Sequence, residues 1–377
     1  MATKNENPRV GPEARGGDAP APDAGRPGPD PGTRVVDVRL ESAADTRTLG
    51  AAASVEPAES IVGVTAGHIL ADRFTIVRML GSGGMGEVFE ADDSVLHEPV
   101  ALKVVRARSG GSDRELLRLR REVQLARRVT HRNVCRMYDL IQHRSADGTT
   151  LDLVSMELLP GETLRRYLHR RSRLALGEAL PIARQVARGL HAAHSLGIVH
   201  RDLKPANVML VREKDGLRVA ITDFGLARRV DHGTHHEPAL TQEGRLIGTP
   251  AYMAPEQVNG GATSAATDVY SFGIMLYEML SGQLPFDGDN PWQMAISRLT
   301  REPLDIASRL PGLDARVVEV VRRCMERRPA DRFDSMLPVL ERLDRGDSDW
   351  HPLGHKATDD EATAPTLGNL PGAGEGG

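Results

Sequence analysis

Five chemically active side chains share one short loop of this sequence, Ile198-Val199-His200-Arg201-Asp202-Leu203-Lys204-Pro205-Ala206-Asn207. A carboxylate, two cations, an imidazole and an amide together can accept a proton, neutralise developing negative charge and ligate a hard cation through oxygen. The decapeptide alone also fits a solvated turn, because Asp, Pro and Asn are turn formers. Its support argues for a working site. The loop follows the apolar helical run of residues 177–196, which Gly197 ends as a C-terminal glycine should. By residue type, His200 is the first candidate for a general base.

Upstream, Leu80-Gly81-Ser82-Gly83-Gly84-Met85-Gly86-Glu87-Val88 contains G-x-G-x-x-G. That spacing occurs in dinucleotide-binding folds and also in ordinary glycine hairpins. A dinucleotide site needs a helix after the glycines and an acidic residue about twenty positions on. Here the glycines lie between two strand-like runs, and the residue at the comparable distance is a lysine, Lys103. A glycine hairpin folded over phosphates, with a cation from the next strand, suits a nucleoside triphosphate better. Lys103 stands in the apolar run 100–105, where an ammonium needs an anion. Glu122 on the following helical run is the candidate partner, although a solvated helix glutamate fits that position equally.

These loops need elements to hold them. Residues 73–80, 87–90, 100–105, 134–140 and 150–156 read as strands, and 114–129 has helical spacing. After Gly161 the pattern turns helical, over 163–169, 177–196, 266–281, 291–300, 313–325 and 334–344. A β-rich lobe therefore precedes a helical one, joined near residues 157–161. Residues 1–68 and 346–377 are polar and breaker-rich, and read as disordered tails. With 377 residues there is room for a full-sized core between them. A net charge of −4 gives no field that would draw the chain to nucleic acid. The two cysteines, Cys135 and Cys324, lack metal spacing and fit a reducing compartment. There is no secretory signal, and no run approaches the ~18–20 apolar residues that span a bilayer. The expectation is a soluble, cytoplasmic protein.

Gly81-x-Gly83-x-x-Gly86-x-Val88, Val100-Ala101-Leu102-Lys103, Glu122, His200 to Asn207, Asp223-Phe224-Gly225 and Ala254-Pro255-Glu256 stand in the order seen in protein kinases. Over residues 70–345 the chain resembles a bacterial, eukaryotic-like serine/threonine protein kinase. The resemblance implies an α+β, bilobal fold, with a β-rich N-lobe at about 70–157 and a helical C-lobe at about 161–345. It implies ATP as phosphoryl donor and Mg²⁺, or Mn²⁺ in its place. Proteins with Ser or Thr hydroxyls are the implied acceptors.

The resemblance also assigns roles. Leu80, the glycine loop from Gly81 through Ser82, Gly83, Gly84 and Met85 to Gly86, Val88 and Ala101 would enclose the nucleotide. Met156 would back the adenine pocket, and Glu157 and Leu159 would offer main-chain groups to the base. Lys103, held by Glu122, would contact the α- and β-phosphates. Asp202 would accept the proton of the acceptor hydroxyl, and Lys204 would meet the γ-phosphate. Asn207 and Asp223 would hold the metal. His200 becomes structural, packed on Phe224. Thr249 in Gly248-Thr249-Pro250-Ala251-Tyr252 would hydrogen-bond toward Asp202 and Lys204. Glu256 would pair with Arg332, and Asp268 would hold the catalytic-loop backbone. One position departs from the pattern: Ala126 stands where the family usually has a large aliphatic against Phe224, with Leu125 or a shifted helix register as the compensation.

The resemblance further implies that Arg201 binds a phosphate on the activation segment, Asp223 to Glu256, with Thr241 favoured over Thr234 as the autophosphorylated residue. His232, His235 and His236 lack rigid metal spacing and read as a solvated loop. Thr363 and Thr366 could carry phosphate for a phosphothreonine-binding partner, though inert linker fits that tail as well. A pseudokinase scaffold and a small-molecule phosphotransferase are the alternatives. The intact Lys103, Asp202, Asn207 and Asp223 count against the first, and the peptide-docking elements around Thr249 and Glu256 count against the second.

Overall fold

Alternation of side chains across a strand builds the first lobe. In the computed structural model, which describes residues 63–83, 86–106, 113–145, 148–224, 250–288 and 291–344, an antiparallel sheet runs in the order β1-β2-β3-β4-β6-β5. Its strands are β1 (Ile69–Leu70), β2 (Phe74–Gly83), β3 (Gly86–Asp93), β4 (Glu98–Arg106), β5 (Met137–Arg144) and β6 (Thr150–Glu157). On one face, Phe74, Ile76, Phe89, Leu102, Val104 and Leu153 form a closed cluster. On the other, Ala101, Val154 and Met156 join the larger core that continues into the second lobe. Helix α1 (Asp113–Ala126) turns Val123 and Ala126 into that same core.

Residues 63–68, assigned by sequence to the N-terminal tail, belong with this sheet. Val64 is buried in the sheet cluster, Gly67 donates its N–H to Ile76 O (2.8 Å), and Ile76 donates to His68 O (2.9 Å). The aliphatics here are broken by Gly63 and Gly67 and show no sustained strand or helix period, so the sequence did not flag the segment. The strand expected over 134–140 instead starts at Met137. Its first residues are spent on the second lobe, where Cys135 N–H donates to Ile221 O (2.8 Å) and Ile221 N–H to Asn133 O (3.0 Å).

The second lobe is helical, with one small sheet that the sequence reading missed. Strands β7 (Gly161–Thr163), β8 (Val208–Glu213) and β9 (Gly216–Ile221) pair antiparallel in that order. Such short runs carry too little period to stand out among helices. The helices are α2 (Leu164–Arg171), α3 (Leu176–His194), α4 (Pro255–Val258), α5 (Ala265–Ser281), α6 (Pro291–Thr300), α7 (Ile306–Arg309), α8 (Ala315–Cys324) and α9 (Leu337–Asp344). Helix α5 is the core axis: Val269, Phe272, Ile274, Met275, Leu276 and Tyr277 are fully buried, so it is apolar on nearly every face. Gly282 closes it in the left-handed region (φ 74°), donating to Glu278 O (2.8 Å). Among the described residues no helix is long and apolar enough to cross a membrane.

Candidate active site

The sheet aims the first group of site residues. Strand β4 sends Val100, Leu102 and Val104 to the closed cluster, so Ala101 and Lys103 face the second lobe. Opposite them in register lie Met156 (with Ala101) and Val88 (with Lys103). Leu80 and Val88 pack half-buried on the same core. The glycine hairpin pairs Gly81 with Val88, Ser82 with Glu87 and Gly83 with Gly86. Gly86 has φ 127°, and a Cβ there would run into Val104 O, so the hairpin lies flat on the neighbouring strand only as glycine. Gly84 and Met85 lie outside the described residues.

The loop at 200–207 is set from below by α5. Asp268, with no exposure, accepts the N–H groups of His200 (2.7 Å, Oδ2) and Arg201 (2.8 Å, Oδ1), and His194 Nε2 donates to Oδ2 (2.7 Å). Arg201 is left-handed (φ 68°), a conformation this two-point anchor sustains. His200 has both ring nitrogens committed: Nε2 donates to Thr222 O (2.8 Å) and Nδ1 accepts the Asp202 N–H (3.2 Å). Its ring meets Phe224 edge-on at 4.6 Å. A fully buried imidazole bonded through both nitrogens has no lone pair for a substrate, so the general-base candidacy based on residue type fails.

Asp202, Lys204 and Asn207 then converge. Lys204 Nζ lies 2.8 Å from Asp202 Oδ2. Asn207 donates from Nδ2 to Asp202 O (2.8 Å) and Oδ2 (3.1 Å), which turns its Oδ1 the other way, with no donor on it among the described residues. The 3-10 turn Pro205–Asn207 leads straight into β8, and Thr222 N–H donates to Asn207 O (2.9 Å), so Asn207 sits beside the residues that follow β9. Among these is Asp223, left-handed at φ 62°.

Lys103 is the correction. Its ammonium, expected on Glu122, rests on Asp223 Oδ1 at 2.5 Å. A side chain only 5% exposed must find an anion, and the loop after β9 brings one within reach. Burial alone would raise the Asp223 carboxyl, but the charge and hydrogen bond of Lys103 hold it below its ordinary value. Glu122 is half-buried on α1. Leu125 is 44% exposed, so it does not fill the space against Phe224, and Ala126 is the inward residue.

At the junction of the lobes, Met156 and Leu159 are buried in the large core. Glu157 is strapped to the second lobe: Arg218 of β9 donates to Oε1 (2.6 Å) and Oε2 (3.1 Å), and Arg136 N–H donates to Oε2 (3.2 Å). On the far side, Glu256 and Arg332 form a bidentate pair (2.9 and 2.8 Å), with Thr267 Oγ1 donating to Glu256 Oε1 (2.8 Å). Gln257 links Ala254 N–H (2.9 Å) to Arg201 O (2.8 Å), tying this segment to the catalytic loop. Thr249, Gly225, Thr234, Thr241 and the three histidines at 232, 235 and 236 lie outside the described residues, as do Thr363 and Thr366. Arg201 itself donates from Nε to Thr263 Oγ1 (3.1 Å).

The family model described as protein kinase domain matches residues 74–340. The chain belongs to the protein kinase family. Among curated relatives, the serine/threonine-protein kinase PknB of Mycobacterium tuberculosis is 35% identical over 308 residues, 80% of this chain and 48% of PknB. PknA of the same organism is 36% identical over 281 residues, 74% of this chain and 62% of PknA. The chain thus spans about half the length of the PknB relatives it matches. The solved kinase domain of M. tuberculosis PknI superposes with a TM-score of 0.58 at 27% identity, covering 74% of this chain and 98% of that domain. The α+β bilobal architecture is therefore that of protein kinases.

Sequence reading missed several residues that shape the site. His194, Arg218 and Arg298 make contacts with residues 45 to 74 positions away. Each looks in sequence like an ordinary helix or strand residue, and no local signal marks its partner.

Proposed function

We propose that this chain transfers the γ-phosphoryl group of ATP to serine or threonine hydroxyls of proteins. The observation that carries the reading is the convergence of Asp202, Lys204 and Asn207 beside Asp223 on the second lobe, with Lys103 reaching Asp223 from the first. The donor set fits Mg²⁺-ATP: a carboxylate held ionised, an amide oxygen turned outward, and a glycine hairpin over which a phosphate chain can lie. Bound Mg²⁺, or Mn²⁺, would screen the phosphate oxygens, with Asn207 and Asp223 as its protein ligands.

Asp202 is oriented by Asn207 and carries an adjacent ammonium, so its carboxylate can receive the hydroxyl proton as the oxygen attacks. Lys204 offers positive charge where the transferred group becomes more negative. Lys103 has Asp223 as its present partner and would share its ammonium with the phosphates. Glu157 and Leu159 supply main-chain polar groups beside the adenine, against Met156, Ala101, Val88 and Leu80. Lys204 two positions after Asp202 supports Ser/Thr over Tyr acceptors, and the kinase resemblance assigns Thr249 a hydrogen bond toward both.

Regulation by phosphate at Thr241 through Arg201, and a cytoplasmic location, are parts of the same reading. The direct test is incubation with Mg²⁺-ATP and a generic basic protein. Asp202→Asn should lower transfer by about 10²-fold or more, the range of a lost general base. Equal labelling by the unaltered chain and the variant would sink the reading. Peptide mass spectrometry of the active protein checks Thr241.

A further inference from the structure

Arg298, in the middle of α6, is 2% exposed and heads the fully buried side chains by size. The other buried arginines sit on carboxylates: Arg332 on Glu256 (2.8 Å) and Arg184 on Asp344 (3.1 Å). Among the described residues Arg298 meets no carboxylate. Its Nη1 donates to Pro250 O and to Met253 O (2.9 Å), its Nη2 donates to Ala251 O (3.2 Å), and its Nε has no hydrogen-bond partner. The ring of Phe286 lies 5.6 Å from the guanidinium carbon.

An apolar side chain of similar volume would fill this place without desolvating a charge, so packing does not explain a guanidinium here. What the guanidinium adds is a planar fork of donors that fixes several acceptors at once. Its acceptors are consecutive. The remaining carbonyl of the stretch, Tyr252 O, accepts from Ser271 Oγ of α5 (2.9 Å). All four carbonyls of residues 250–253 are therefore held from beneath, three of them by one side chain. Ala251, Tyr252 and Met253 remain only half-buried on the outer side. The stretch immediately follows Thr249, and through Ala254 and Gln257 it is joined to Arg201 of the catalytic loop.

We propose that Arg298 is a positioning residue for the protein acceptor, setting the shape of the 250–253 segment on which the acceptor chain docks. This rests on the protein-kinase reading above. Arg298 touches no residue assigned to ATP, so its effect falls on the acceptor alone. Loss of the fork frees the carbonyls of Ala251 and Met253 and leaves Pro250 O only the Met253 N–H (3.3 Å), which lets the segment take other shapes, raising the acceptor KM while leaving nucleotide binding alone.

The test uses the full chain, its Arg298→Lys, Arg298→Met and Arg298→Ala variants, and histone as acceptor. Three quantities are read: KM for histone, KM for ATP, and the slow hydrolysis of ATP without acceptor. The expected result is a rise in histone KM of roughly tenfold or more for Arg298→Met, with ATP KM and acceptor-free hydrolysis within about twofold. Lysine keeps the charge without the fork, so Arg298→Lys should stay closer to the methionine variant than to the parent. In Arg298→Ala, added guanidinium ion should lower the histone KM again. A parallel fall in acceptor labelling and acceptor-free hydrolysis would overturn the proposal, as would an unchanged histone KM or full activity in Arg298→Lys. If Arg298→Met does not fold, the lysine variant decides alone. If the unaltered chain hydrolyses ATP yet labels no protein, the kinase reading falls and this inference with it. The other overturning results leave that reading intact.

Discussion

Lys103 and Asp223, 120 positions apart in sequence, meet at 2.5 Å across the junction of the two lobes. The pair joins β4 to the loop after β9, and it keeps an ammonium that is 5% exposed from standing without an anion. Lys103→Met removes the main influence that depresses the Asp223 carboxyl, leaving burial to act on it. The Asp223 carboxyl should then titrate at higher pH, read by carbon-13 NMR of aspartate-labelled protein. Phosphoryl transfer should fall by about 10²-fold or more. An unmoved Asp223 titration would show that the pair does not govern this carboxyl.

The Glu256–Arg332 pair is a stability element with a defined pH signature. Burial would raise the Glu256 carboxyl, but Arg332, with help from Thr267, holds it below its ordinary value. A carboxyl with a lower pKa folded than unfolded stabilises fully above the unfolded value of about 4.3, and that contribution is lost as pH falls through the folded value. Glu256→Gln leaves a guanidinium with a wholly unexposed side chain short of its counter-charge. The cost should be about 3 kcal/mol at neutral pH, lowering the melting temperature by roughly 6–12 °C. The gap to the unaltered protein should narrow below about pH 4. Calorimetry at pH 7 and at acid pH checks both the size and the narrowing. A gap that stays constant in acid would mean the carboxylate charge is not what matters.

Asp268→Asn probes the anchor of the catalytic loop. An amide in place of the carboxylate offers one oxygen where three groups now donate, the N–H of His200 and of Arg201 and Nε2 of His194. At least one of these donors is then unsatisfied, a cost of about 1–3 kcal/mol. Arg201 also loses the contact that sustains its left-handed backbone. Transfer measured well below the melting temperature should therefore fall further than the stability loss explains. Activity that simply tracks the folded fraction would assign Asp268 a structural role only.

Much of this site was legible because its chemistry is carried by contiguous peptides. The glycine loop, the run around Lys103, and the stretch from His200 to Asn207 each announce themselves within ten residues, and strand period alone points Lys103 away from the closed cluster. Partners brought together by tertiary packing were not legible in the same way. Helical spacing puts Glu122 on a helix but does not fix which carboxylate reaches Lys103, and Asp223 is the one that does. His200 could be read as a base by type until its two ring nitrogens were seen to be bonded. Arg298 sits in an ordinary helical repeat, and only packing buries it. The β7–β9 sheet escaped because its strands are three to six residues long.

The hinge strap gives the last prediction. Glu157 closes β6, where its main chain is the expected neighbour of adenine, while its side chain is clamped by Arg218 through two hydrogen bonds of 2.6 and 3.1 Å. Arg218 also donates from Nε to Arg132 O (2.8 Å), so one guanidinium joins the hinge, the segment before β5, and β9. Hydrogen bonding to Glu157 raises the Arg218 pKa further, so the guanidinium stays charged throughout the working range. The two side chains are 15% and 22% exposed, which leaves the pair partly shielded from salt. Arg218→Ala leaves the Glu157 side chain only the Arg136 N–H (3.2 Å) and lets the hinge backbone shift, and a loss of about 1 kcal/mol corresponds to roughly a fivefold rise in the KM for ATP. The change should fall on ATP more than on kcat or on the acceptor KM, the opposite split from Arg298. Reversing both charges, Glu157→Arg with Arg218→Glu, should recover part of the loss. An ATP KM that does not move in Arg218→Ala would show that the hinge holds its shape without the strap.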